Sequence, residues 1–238
     1  MTKQPLSKAD LHLHTTYSDG HSTPAQLVQY VLQHTTLRMI AITDHDQIDG
    51  AYEAQKYAEG TGLHVIIGEE ISTREGHLLA YFIQDRIRPG MSAHDTITAI
   101  HEQGGLAVAA HPYDWMVRSL GHFGLLKHAV EHHRFWNFDA IEALNASLRP
   151  RYANVRAAQA ARTLNLPVIG GSDSHLLDTI GYGYTLFYGN SPAQLRQAIQ
   201  SQQTSVDGTF WSMGDMAAAG TRLVQRTVTN MALRILPH

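Results

Sequence analysis

The feature that most constrains this chain is an alternation. Short runs of apolar, β-favouring residues are separated by longer segments of helical period. The pattern predicts strands near Asp10–His14, Met39–Thr43, His64–Gly68, Leu78–Ile83, Leu106–Ala110, Ala140–Leu144, Pro167–Gly170 and Gly183–Phe187. Helices are expected near Thr23–His34, Ile48–Glu59, Ala93–Gln103, Ala153–Leu164 and Pro192–Ser201. Ser22-Thr23-Pro24 opens the first helix as a cap followed by proline, and Gln103-Gly104-Gly105 closes the third with a residue suited to the left-handed stop. Such alternation implies βαβ units and a mostly parallel α/β sheet, and seven or eight units favour a closed barrel over an open sheet. At 238 residues and 43% hydrophobic content the chain suffices for one barrel domain, expected over residues 1–212. Asp114–Phe138 reads as a helical excursion from the barrel. Residues 213–238 read as a C-terminal amphipathic helix, packed on the barrel or on another copy of the chain in a homo-oligomer.

The ends of the strands carry the chemistry. His12 and His14 lie at i and i+2 of the first predicted strand, on one face and about 7 Å apart at ~3.3 Å per residue. Thr15-Thr16-Tyr17-Ser18-Asp19-Gly20 then supplies a carboxylate in a tight turn. The second strand finishes Thr43-Asp44-His45-Asp46, and the third finishes Gly68-Glu69-Glu70. The fifth ends in His111-Pro112 and the seventh in Gly171-Ser172-Asp173-Ser174-His175, while His77 opens its strand. No core requires strands to finish in this way, and the C-terminal ends of barrel strands are where barrels build their sites. Imidazole and carboxylate without thiolate suit Zn²⁺, Mn²⁺ or Fe²⁺. More than four candidate ligands implies more than one ion.

Composition narrows the remaining choices. With no cysteine, disulfides and thiolate metal sites are excluded. A net charge of −3 without a long basic block argues against an extended nucleic-acid tract. No run of eighteen apolar residues offers a membrane span, and the opening MTKQPLSKAD lacks the apolar centre of a secretory signal, so a cytoplasmic protein is expected.

Together, Asp10-Leu11-His12-Leu13-His14-Thr15 with Ser18-Asp19-Gly20, Ile42-Thr43-Asp44-His45-Asp46, Gly68-Glu69-Glu70, Gly76-His77, Ala110-His111-Pro112 and Gly171-Ser172-Asp173-Ser174-His175 resemble the polymerase and histidinol phosphatase (PHP) family of metal-dependent phosphoesterases. The likeness runs from Asp10 to about Gly208, and Gly181-Tyr182-Gly183-Tyr184-Thr185 resembles the branch with a small PHP-associated C-terminal region. The resemblance implies a distorted (β/α)7 barrel with a trinuclear site at its C-terminal rim. It assigns His12, His14, Glu70 and Asp173 to one ion, and Glu70, His77 and His111 to a second bridged by Glu70. Asp19, His45 and His175 go to a third. The family's Gly-any-Glu pattern selects Glu70, with Glu69 as the alternative.

The expected function is hydrolysis of a small phosphate ester, a phosphomonoester such as a nucleotide or a sugar or amino-alcohol phosphate, or a phosphodiester. Two to three divalent ions would serve as cofactors and a metal-bound hydroxide as nucleophile, with Glu70 positioning it. Three divalent ions outweigh three carboxylates and a hydroxide, so the site would attract an anion. Asp44 and Asp46 are read as partners that orient ligand histidines. Arg118 and Arg149 are candidates to grip phosphate. Two rival classes remain: a C–N hydrolase on a similar barrel, which commonly uses a carbamylated strand-end lysine not found here, and a metal-binding module without catalysis.

Overall fold

Two-residue alternation organises the barrel wall. In the computed structural model, which describes residues 4–117, 119–121, 137–147, 151–215, 217 and 221, strand β2 (Met39–Ile42) is buried on both faces. Met39 and Ala41 join the interior cluster, while Ile40 and Ile42 join the layer beneath the helices. Strand β5 (Leu106–Ala109) repeats this, with Leu106 and Val108 inside and Ala107 and Ala109 outside. Continuous apolar runs are what a doubly covered strand requires. Each fully buried Leu or Ile contributes about 1.5–3 kcal/mol.

The other strands are β1 (Leu6–Asp10), β3 (His64–Ser72), β4 (His77–Tyr81), β6 (Ala140–Asn145), β7 (Val168–Gly171), β8 (Gly183–Tyr188) and β9 (Ser205–Gly208). Among the described residues they form one sheet ordered β7-β6-β5-β4-β3-β2-β1-β8-β9. Its ends approach each other where Gly170 N–H donates to Thr185 Oγ1 and the Thr185 hydroxyl donates to Gly170 O, at 2.9 and 3.1 Å. A parallel bridge between Leu13 and Ser174 continues that closure toward the rim. The result is a nearly closed, distorted (β/α)7-type barrel.

The helices are α1 (Pro24–His34), α2 (Asp49–Ala58), α3 (Ala93–Glu102), α4 (Tyr152–Leu164) and α5 (Pro192–Gln200). At α1 the Thr23 side chain accepts from Gln26 N–H while the Gln26 side chain accepts from Thr23 N–H, and Pro24 occupies the first turn. Gly104, at φ +73°, follows α3 as expected of the stop.

The expectation of a mostly parallel sheet needs correction. β1–β2, β2–β3, β5–β6 and β6–β7 are parallel, but β4 is antiparallel to both neighbours, and β8 is antiparallel to β1 and to β9. The cause is the short Thr73–Gly76 turn between β3 and β4, which leaves no room for a crossover helix and so reverses the chain. β9 has no sequence counterpart because Ser205-Val206-Asp207-Gly208 lacks an apolar run. The first strand also shifts: it ends at Asp10, and His12 and His14 follow in irregular backbone. Most of Asp114–Phe138 and of the tail 213–238 lies outside the described residues.

Candidate metal centre

Glu69 and Glu70 are adjacent, buried carboxylates on the same strand. Alternation along β3 separates them. Val65, Ile67 and Ile71 belong to the layer under the helices and Ile66 to the barrel interior, so Glu70 points inward and Glu69 outward. Glu69 accepts from Ile87 N–H at 2.8 Å, away from the rim histidines, and burial pushes its carboxyl up to about 7.

Antiparallel β4 brings its first residue to the rim where parallel strands bring their last. His77 shares the inward parity of Leu79 and Tyr81 and lies 2.8 Å from Glu70 Oε1. Strict alternation in β5 would aim His111 outward. The strand instead stops at Ala109, and a left-handed backbone at His111 (φ +23°) swings the ring onto Glu70 Oε1 at 2.9 Å. Asp173 sits in a similar left-handed turn (φ +53°) just past β7. His12 and His14 are held beyond β1 by backbone bonds across to β7, with His14 N–H donating to Ser174 O at 3.0 Å and Ser174 N–H to His12 O at 3.4 Å.

All nine expected ligands converge. Glu70 Oε2 lies 3.0 Å from His12 Nε2, 3.3 Å from His14 Nε2 and 3.5 Å from His45 Nδ1. Its other oxygen faces His77 and His111. Asp173 Oδ1 lies 3.2 Å from His14 Nε2 and 3.6 Å from His12 Nε2. Asp19 Oδ2 stands 3.1 Å from His175 Nε2 and 3.8 Å from His45 Nε2. The His14 and His175 rings stack with centroids 4.2 Å apart. Among the described residues, donor atoms within 4.8 Å of one another form four groups: His14–Asp19–His45–His175, His12–His111–Asp173, His12–His14–Glu70 and His45–Glu70–His77.

The residues fit metal ions. Neither ring nitrogen of buried His14 makes an aligned hydrogen bond, although carboxylate oxygens stand nearby, which leaves the ring's one lone pair free for a cation. Without ions, protons would take their place. Burial alone would depress the His14 imidazolium, but the Asp173 and Glu70 carboxylates lift it to about 10. His111 is raised to about 9, burial again being outweighed by Glu70. Burial favours neutral Glu70 and Asp173, yet the surrounding histidines hold both well below the ordinary carboxylate range.

The remaining expectations divide. Asp44 does not orient a histidine: its carboxylate accepts from Thr15 N–H, Thr15 Oγ1 and Ser18 Oγ, each at 2.6 Å, bracing the loop between His14 and Asp19. Asp46 instead accepts from Ser72 N–H. Parity explains the difference: Asp44 and Asp46 continue the outward positions of Ile40 and Ile42, while His45 continues the inward positions of Met39 and Ala41. Arg118 and Arg149 lie outside the described residues. Sequence reasoning missed Glu142, a fully buried carboxylate 2.9 Å from His12 Nδ1 that also accepts from His111 N–H. The signal was available as a lone carboxylate inside the apolar run Ala140-Ile141-Glu142-Ala143-Leu144.

A barrel whose rim gathers six imidazoles and three carboxylates in overlapping groups has the architecture of a metal-dependent hydrolase. The PHP domain profile matches residues 10–155 and the PHP-associated profile residues 151–204. The chain therefore belongs to the PHP domain family of metal-dependent phosphoesterases. An uncharacterized protein of Methanocaldococcus jannaschii is 39% identical over 125 residues, covering 48% of this chain and 72% of that protein. A 5'-3' exoribonuclease of Haemophilus influenzae is 39% identical over 90 residues, 36% of this chain and 32% of the relative. A two-domain protein of Bacteroides vulgatus, described as containing a predicted PHP-like metal-dependent phosphoesterase, superposes with a TM-score of 0.70 at 21% identity. That fold match covers 87% of this chain and 66% of the other.

Proposed function

We propose that this chain hydrolyses a small phosphate ester, using two to three divalent ions held at the barrel rim. The observation that carries the reading is the division of Glu70. One oxygen faces His12 and His14 while the other faces His77 and His111, as a carboxylate bridging two ions would. His12, His14, Glu70 and Asp173 would hold the first ion, Glu70, His77 and His111 the second, and Asp19, His45 and His175 the third. When bound, such ions supply Lewis acidity toward phosphoryl oxygens and lower the pKa of water.

The chain's own residues supply the aim. Asp173 Oδ2 accepts from Asn145 Nδ2 and Ser147 Oγ at 3.1 and 3.0 Å, leaving Oδ1 to face His12 and His14. Asp44 holds the loop that presents Asp19 at the solvent-facing side of the cluster, where a substrate arrives. The exoribonuclease name of one relative supports including short RNA phosphodiesters among the first esters to try.

Elemental analysis of the purified protein, followed by phosphate release from a panel of mono- and diesters, tests the reading. Two or more metal equivalents and turnover of phosphate esters are expected. One equivalent or fewer would sink the cluster, and activity on amides but not on phosphates would replace the reaction class. His111→Ala and Glu70→Ala should each abolish turnover on every substrate of the panel.

A further inference from the structure

Strand β6 contributes none of the nine candidate ligands, yet its rim end touches three of them. Glu142 is fully buried, and Oε1 lies 2.9 Å from His12 Nδ1. Oε2 accepts from His111 N–H at 2.7 Å and from Asn145 Nδ2 at 3.2 Å. The same Asn145 amide donates to Asp173 Oδ2 at 3.1 Å. Glu142 shares the inward parity of Ala140, and just beyond it the pairing of β6 with β7 shifts register, between Glu142 and Leu144, ahead of Asn145. Irregularities of this kind re-aim side chains beside functional sites.

We infer that Glu142 is a positioning residue of the metal centre, fixing His12 with its proton on Nδ1 so that Nε2 faces the ion, and holding the turn that aims His111. This rests on the polynuclear reading above. A neutral imidazole offers one lone pair, and the nitrogen that offers it is set by the hydrogen bond the other makes. Here only Nε2 is turned toward Glu70 and Asp173, because Nδ1 is claimed by Glu142. The second half of the role is conformational. A histidine at φ +23° is strained and persists only where its surroundings hold it. The bond from its N–H to a buried carboxylate provides that hold.

Space at this corner is reserved for the pair. A Cβ at Gly171 would overlap His12 Cβ and press on Glu142 Oε1, so glycine lets the imidazole and carboxylate meet. Glu142→Gln keeps the shape and removes the function. An amide has one accepting oxygen, whereas the carboxylate serves three donors with two, so either His12 or the His111 turn would meet an NH₂ group.

Zinc titration of the chelated protein against a chromophoric competitor, for wild type and Glu142→Gln, tests the role. Partners of ligating histidines are worth roughly 10–100-fold in metal affinity, and a loss of that size for at least one zinc is expected in the variant, with its circular dichroism unchanged. Unchanged zinc affinity in a folded Glu142→Gln would overturn the assignment. Should wild type itself bind one zinc or fewer, the polynuclear reading fails, a result distinct from a variant that matches a multi-zinc wild type. Long-range ¹H–¹⁵N correlation on zinc-loaded wild type needs no variant: His12 should carry its proton on Nδ1, and a proton on Nε2 would overturn the proposal.

Discussion

At the scale of single residues, the centre depends on which of two neighbouring carboxylates faces inward. Glu70 meets four histidines within 3.3 Å, while Glu69 caps a loop outside the barrel. Glu70→Gln keeps the size and loses the charge, so turnover should fall by more than the roughly 100-fold typical of losing an outer partner. Glu69→Gln should leave turnover within about threefold, since its bond to Ile87 N–H survives in the amide oxygen; steady-state kinetics on one substrate checks both. The histidines give a pH prediction. In the metal-free protein His14 titrates at about 10 against 6.5 for an ordinary histidine. Its raised value contributes stability that is fully present below 6.5 and is lost as pH rises through about 10. Chelated protein should therefore melt at lower temperature at pH 9 than at pH 6.5. The metal-loaded protein should show the opposite trend between pH 5 and about 7, because protons compete with ions for the same nitrogens. Parallel thermal scans with and without chelator decide this.

At the scale of elements, direction matters as much as identity. His77 opens its strand and still reaches the rim because β4 runs against β3 and β5. Alternation, strand direction and two left-handed turns together account for the placement of Glu70, His77, His111 and Asp173. Three of the described helices, α1, α3 and α5, are secured at their N-termini by local side-chain caps instead. Thr23→Ala removes one half of the reciprocal cap on α1 and should cost about 1 kcal/mol in thermal or denaturant unfolding, with turnover unchanged. Much of this level was legible in the sequence. The five predicted helices lie where expected, as do the cap of α1 and the glycine stop of α3, and the strand ends named nine residues that the barrel brings together. The antiparallel course of β4 was missed because β3 was expected to stop at Gly68, and only its extension to Ser72 shortens the connection to a tight turn. The register shift in β6, which follows Glu142, was hidden because pairing partners are set only when the sheet assembles.

At the scale of the molecule, the barrel must close before the ligands can meet. Asp10 bridges the seam: its buried carboxylate accepts from Ser172 N–H at 2.9 Å, Gly181 N–H at 2.8 Å and His12 N–H at 3.4 Å. Burial pushes its pKa up to about 6 despite those bonds. Asp10→Ala would leave three backbone donors without an acceptor, a loss of about 3 kcal/mol at the lower end of the 1–3 kcal/mol range for each. In a chain of this size that lowers the melting temperature by roughly 6–12 °C, and metal affinity should weaken with it, since His12 loses its anchor. By itself, the sequence determined the kind of fold, the nine donors and the chemistry they suit, because period and residue type are local properties. Only the tertiary structure decided which oxygen of Glu70 faces which histidines, that Asp44 braces a loop, and that Glu142 stands behind His12. Those are distances between residues up to 130 positions apart in the chain, and closing the barrel is what makes them short.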